Sequence, residues 1–174
     1  AAAYGHISTW ETGGVADCVE IKLSRRLPES MAPDAQVTDM SDLFYVCSID
    51  DNFVEICSSF NDDIGAWDTS GVTDMSYMFS GASAFDQPLG GWRVDNVANL
   101  GGTFSGASSF NQDLRMWKID SVTSMNLMFS SASAFDQDLG WCVDDDVDLR
   151  NAFDDPPCSS TSCCVMWETN TGDC

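Results

Sequence analysis

The chain is predicted to fold as a repeat solenoid, leucine-rich-repeat-like, with short parallel β-strands on one face and short helices or 3₁₀ turns on the other, in about five rows. Three observations predict it. Phe60, Phe85, Phe110 and Phe135 are each 25 residues apart, as are Val72, Val97, Val122 and Val147. Around these positions one phrase recurs: Phe-Asn/Asp-Gln-x-Leu, then Trp, then Val-x-x-Met/Leu, then Phe-Ser-x-Ala-Ser. The acid is nearly all Asp, with only Glu11, Glu20, Glu29, Glu55 and Glu168, and Asp forms turns and caps where an acidic helical chain would favour Glu. Self-similarity at such a period means units that bury their apolar side only against their neighbours.

Taken in order, residues 1–59 form a degenerate first row, running Tyr4–Trp10 and resuming at Val37-Thr38-Asp39-Met40. Two insertions interrupt it. Residues 13–36 hold Cys18 and three of the seven basic residues, and residues 45–59 hold Cys47 and Cys57. Residues 60–153 are the regular repeats. The last of these has one residue deleted before Trp141. Residues 154–174 form a Cys-rich C-terminal cap.

Within a row, Leu89-x-x-Trp92-x-Val94 and Leu114-x-x-Trp117-x-Ile119 read as short strands. The next segment, Val122-x-x-Met125-x-x-Met128-Phe129, has the spacing of one or two helical turns. Ser-Gly-Ala or Ser-Ser-Ala then turns the chain toward the next Phe. Stacked rows would lie about 4.8 Å apart.

The Trp column (Trp10, Trp67, Trp92, Trp117, Trp141) shares its parity with Leu and Val of the same strand, which places it inward. Exposed on the sheet face instead, it would form a carbohydrate-binding strip. Asn61, Asp86, Asn111 and Asp136 form one polar column, and Ser70, Asp95 and Asp120 another. Such ladders satisfy backbone groups at turns, row after row. Stacked carboxylates repel, and calcium would relieve that repulsion. Arg93 offers Asp68 a salt bridge from one row away, although Lys118 follows with like charge.

The densest carboxylate cluster, Asp144-Asp145-Asp146-Val147-Asp148, makes Asp144, Asp146 and Asp148 the calcium candidates. It lacks the Gly and distal Glu of an EF-hand loop, so a solvated edge is the plainer reading. No Asn-x-Ser/Thr sequon occurs.

A net charge of −21 disfavours nucleic acid and anionic membrane surfaces as partners. No stretch approaches the roughly 18 apolar residues of a membrane span, so direct membrane insertion is not expected. The chain starts Ala-Ala-Ala rather than with Met, which suits a mature product cut by signal peptidase. Eight cysteines (Cys18, Cys47, Cys57, Cys142, Cys158, Cys163, Cys164 and Cys174) avoid the repeat interior, and none shows Cys-x-x-Cys spacing. They read as structural disulfides in an oxidising, extracellular compartment. Cys47 with Cys57 is the favoured local pair, and Cys142 with Cys158 a weaker one. With one histidine, His6, and cysteines expected to be oxidised, no catalytic machinery is apparent and no enzyme is expected.

The string Phe-Asn-Gln-Asp-Leu, Trp-x-Val/Ile-x-x-Val-Thr-x-Met and Met-Phe-Ser-x-Ala-Ser-x-Phe resembles the 25-residue repeat of the BspA-like surface-protein family, known among mycoplasmal, protist and algal surface proteins. The resemblance is strong over residues 60–153 and looser over Tyr4–Trp10 and Val37–Phe44. It implies a leucine-rich-repeat-like solenoid at the cell surface, with adhesion or display as its role and no catalytic residues to transfer.

Cys18, Cys47 and Cys57 belong to the first rows, and the other five to the last row and tail. Both counts are odd. Either a cap folds back to bridge the two ends, or a partner cysteine lies in a removed segment, or one cysteine at each end joins another chain head to tail. The expected function is therefore an extracellular structural or adhesive unit, partnered by copies of itself or other extracellular proteins in a fibre, sheath or surface hair. The alternative is a protein- or carbohydrate-binding module using the sheet face.

Overall fold

The computed structural model describes residues 37–45, 59–155 and 165–167. Five segments lie side by side in parallel, marked by the bridges Asp39↔Asp74, Asp74↔Asn99, Asn99↔Ser124 and Ser124↔Asp148. The first step spans 35 residues rather than 25, which accommodates the second insertion.

Where the Val-x-x-Met-x-x-Met spacing predicts helical turns, the chain makes a run of β-turns, and no described residue is helical. The reason is how the N–H groups are shared. Those of Met75, Tyr77, Phe79 and Gly81 donate to the carbonyls of Asn99, Gly101, Thr103 and Ser105 in the next row at 2.8–3.0 Å. The N–H groups of Met78, Ser80 and Ala82, which alternate with them, close four-residue turns onto the carbonyls of Met75, Tyr77 and Phe79 at 3.0–3.2 Å. A helix would spend every N–H inside its own segment. Here alternate donors bind the neighbouring row, so the segment stays short of a helix and each row is tied to the next. Leu100, Gly102, Phe104 and Gly106 repeat the scheme onto Ser124, Asn126, Met128 and Ser130. Met125, Leu127, Phe129 and Ser131 repeat it onto Asp148, Arg150, Ala152 and Asp154.

This turn geometry needs a left-handed residue at fixed places. Tyr77, Gly102 and Leu127 occupy one such column at φ 53°, 62° and 59°. Only Gly102 adopts it without a Cβ penalty, and the Tyr77 ring lies over it, where an added Cβ would stand 2.4 Å from the ring.

The Leu-x-x-Trp-x-Val segments predicted as strands are likewise not extended ladders in the regular rows. Among the described residues the named strands are β1 (Trp141–Val143) and β2 (Val165–Trp167), paired in parallel with Trp141 opposite Val165. In the regular rows the side chain replaces the ladder. The carbonyl of Leu89 accepts from its own row's Trp92 N–H at 3.0 Å and from the Trp117 indole N–H of the next row at 2.9 Å. Ile64 and Leu114 serve Trp92 and Trp141 in the same way.

The core sits between these two sides. Phe44, Phe79, Phe104, Phe129 and Phe153 form one stack, with neighbouring ring centroids 5.3–5.7 Å apart. Phe60, Phe85, Phe110 and Phe135 form a second at 5.5–6.0 Å. The stacks are zipped together by Phe44–Phe60, Phe79–Phe85, Phe104–Phe110 and Phe129–Phe135 contacts of 3.9–4.1 Å. Val, Leu and Met of each repeat fill the space around them. Trp92, Trp117 and Trp141 are also buried, so the inward placement of those rings is what the structure has.

Candidate functional site

With the aromatic columns inside, the outer faces carry the polar groups. Asn61 Oδ1 accepts from the Asp86 N–H at 2.9 Å and from Gln87 Nε2 at 3.0 Å. Asp86 Oδ1 does the same for Asn111 N–H and Gln112 Nε2, and Asn111 Oδ1 for Asp136 N–H and Gln137 Nε2. The Gln that follows each Asn or Asp is thus a clamp between rows. Hydroxyls add a parallel series: Ser108 donates to the Ser83 carbonyl and Ser133 to the Ser108 carbonyl, each at 3.3 Å. These polar atoms are committed to holding rows together.

The arginines are placed differently from the cross-row pairing expected of Arg93. Its guanidinium binds Asp95, two residues on in the same row, at 3.0 Å. Arg115 binds Asp113 at 2.9 Å and Arg150 binds Asp148 at 2.7 Å, again within one row. In the last two pairs the carboxylate also accepts the arginine's own backbone N–H, forming an Asx turn that brings the side chain round. Hydrogen bonds from the Arg150 side chain and backbone lower the Asp148 carboxyl from its ordinary range to about 2. Arg115 lowers Asp113 for the same reason, and a hydrogen bond from Ser70 lowers Asp68.

Of the calcium candidates, Asp144 and Asp146 are exposed and Asp148 is held by Arg150. Among the described residues no three His, Cys, Asp or Glu side chains converge as a metal ion requires. Cys142 lies on the exposed face of β1 and is disulfide-bonded to a residue outside the described ones. Cys18, Cys47, Cys57, Cys158, Cys163, Cys164 and Cys174 all lie outside the described residues, and with them the expected Cys47–Cys57 bridge and the Cys158 half of its weaker companion.

One feature had no signal in the residue types. The last row places Leu149, Asn151, Phe153 and Asp155 where earlier rows place Met125, Leu127, Phe129 and Ser131. Asn151 and Asp155 even keep the left-handed φ of that turn, at 55° and 66°. Their backbone N–H groups have no acceptor among the described residues. The Phe153 ring packs one face on Phe129 and is partly buried, whereas Phe79, Phe104 and Phe129 are fully buried.

Residues 38–162 match the family described as "Mycoplasma protein of unknown function, DUF285". No curated protein and no solved structure matches the chain. No helix among the described residues is long and apolar enough to cross a membrane.

Proposed function

The chain belongs to that family, and on this premise we propose that it is an extracellular structural or adhesive protein of the BspA-like kind. In this reading the rows form a leucine-rich-repeat-like solenoid, a stiff rod that displays its flank or joins others like it. The observation that carries the reading is the commitment of both interior and surface to row stacking. The Phe and Trp side chains fill the inside, and the Asn, Asp, Gln and Ser side chains clamp one row to the next. What is left outward is a repeated acidic coat, suited to solubility and to many weak contacts. Burial of Trp92, Trp117 and Trp141 favours the rod over a sugar-binding strip, because a stacking surface for sugars needs exposed rings. The disulfide at Cys142 fits an oxidising compartment.

The test is the mass of the native, unreduced protein beside a reduced sample, with peptide mapping of all eight cysteines. A ladder of covalent multimers that collapses on reduction is the expected result for a cross-linked unit. A monomer whose cysteines are free in its native environment would overturn the extracellular assignment.

A further inference from the structure

We infer that Tyr45 and Tyr77 form an oxidative cross-linking site, at which a peroxidase-class oxidant joins the two rings as dityrosine and ties the first described row to the second. The extracellular reading supplies that oxidant, and on that reading the inference rests. The chain has three tyrosines, Tyr4, Tyr45 and Tyr77, and the last two meet. Their ring centroids are 6.2 Å apart at an interplanar angle of 70°, the edge of one ring toward the face of the other.

Both residues are departures from the repeat. Tyr45 closes its turn on Asp42 as Ser80, Ser105 and Ser130 close theirs on Tyr77, Gly102 and Leu127. Tyr77 stands where the next two rows have Gly102 and Leu127. Each tyrosine thus replaces a different residue in a different column, yet the two rings come together across one row boundary. Backbone and packing hold them there. The N–H groups of Met40, Asp42 and Phe44 donate to the carbonyls of Asp74, Ser76 and Met78 at 2.8 Å, which fixes the register of the two rows. Tyr77 keeps a left-handed φ of 53°, a costly conformation for a bulky side chain, and its ring lies over Gly102, where an added Cβ would come within 2.4 Å. Tyr77 is nevertheless 38% exposed, so an oxidant reaches it from solvent. This boundary also has the longest step, 35 residues from Asp39 to Asp74 against 25 from Asp74 to Asn99. A covalent bond here closes residues 46–76 into a ring and offsets the entropy of the longer connection.

The chemistry balances with hydrogen peroxide, used in one-electron steps by a haem peroxidase. Each phenol loses one electron and its proton, and the peroxide takes up both pairs to become two waters. The two phenoxyl radicals join by a carbon–carbon bond between ring positions next to the oxygens. The hydrogen on each joined carbon then moves to that ring's oxygen, which restores both aromatic rings and both phenols. Neither hydroxyl has to be unpaired, because a hydrogen-bonded phenol passes its proton along the bond as the electron leaves. Rotation about χ2, a soft torsion in tyrosine, brings edge against edge. The net charge of −21 keeps separate copies apart at low salt, which favours the link within one chain.

The test treats the intact, disulfide-bonded chain, dilute and at low salt, with a haem peroxidase and hydrogen peroxide. Dityrosine fluorescence and mass spectrometry of the digested product read the outcome. A monomer lighter by two hydrogens is expected, with a peptide map that joins Tyr45 to Tyr77 and a yield that dilution does not change. Tyr45→Phe and Tyr77→Phe keep both rings and should each abolish the monomer's dityrosine signal, whereas Tyr4→Phe should leave it intact. No dityrosine would overturn the inference, as would dityrosine that joins Tyr4 or arises only between separate chains. The extracellular reading fails on a different result, free cysteines in the native protein, and the Tyr45–Tyr77 link would still form in the treated sample.

Discussion

Asp86 illustrates how one polar side chain acts across a row boundary. Its Oδ1 accepts from the Asn111 N–H at 2.9 Å and from Gln112 Nε2 at 2.8 Å. Both bonds need an acceptor and neither needs a charge. Asp86→Ala is therefore expected to cost about 1–2 kcal/mol, by leaving that N–H without its partner, and Asp86→Asn to stay within about 0.5 kcal/mol of the parent. Denaturant unfolding with the disulfides intact measures both. The column alternates Asn61, Asp86, Asn111 and Asp136, which keeps two carboxylates from becoming adjacent. Its role as a backbone-satisfying ladder was legible from the period, because the same type returns at every 25th residue. The arginine pairs were not. Their partners lie two residues away in the same row, a relation that depends on an Asx turn rather than on the repeat.

At the scale of the element, the instructive part is the run of turns between Met75 and Gly81 and its copies. The apolar spacing of three to four in Val122, Met125 and Met128 is shared by a helix and by successive β-turns, so the sequence alone favours the commoner element. What separates them is the left-handed residue in mid-segment, which Gly102 and Asn151 in that column advertise and Tyr77 and Leu127 do not. Gly102→Ala is expected to destabilise by about 1–2 kcal/mol from the backbone conformation alone, with a further loss from contact with the Tyr77 ring. Tyr77→Ala in the same chain should remove the second part and leave the first. A double-mutant cycle on unfolding free energies separates them. On the Trp side, parity with Leu suffices to place Trp92, Trp117 and Trp141 inward, while Trp67 is only partly buried and Trp10 lies outside the described residues. The bonding on that side was not legible, because an indole N–H that takes the place of a ladder bond leaves no mark in the hydrophobic pattern.

On the scale of the whole molecule, the backbone bonds among the described residues join each row to its immediate neighbours, so the stability of this stack is a sum of rows and interfaces. Removing residues 86–110 joins Phe85 to Asn111 just as Phe110 is joined to it now, and every column stays in register. That shortened chain is expected to fold and unfold cooperatively at a lower Tm, as circular dichroism would record. Excision of about half as many residues breaks the columns and should prevent folding. The period thus made the stacked interior legible, while the cross-row sharing of N–H groups, being a matter of backbone alone, leaves no mark in the residue types. Rows joined in series also decide how the molecule yields to force. Tension along the axis loads one interface at a time, and the row that lets go releases roughly 85 Å of slack chain in place of a single layer about 5 Å thick. A stack built this way lengthens in steps, and each step absorbs load before the next interface feels it.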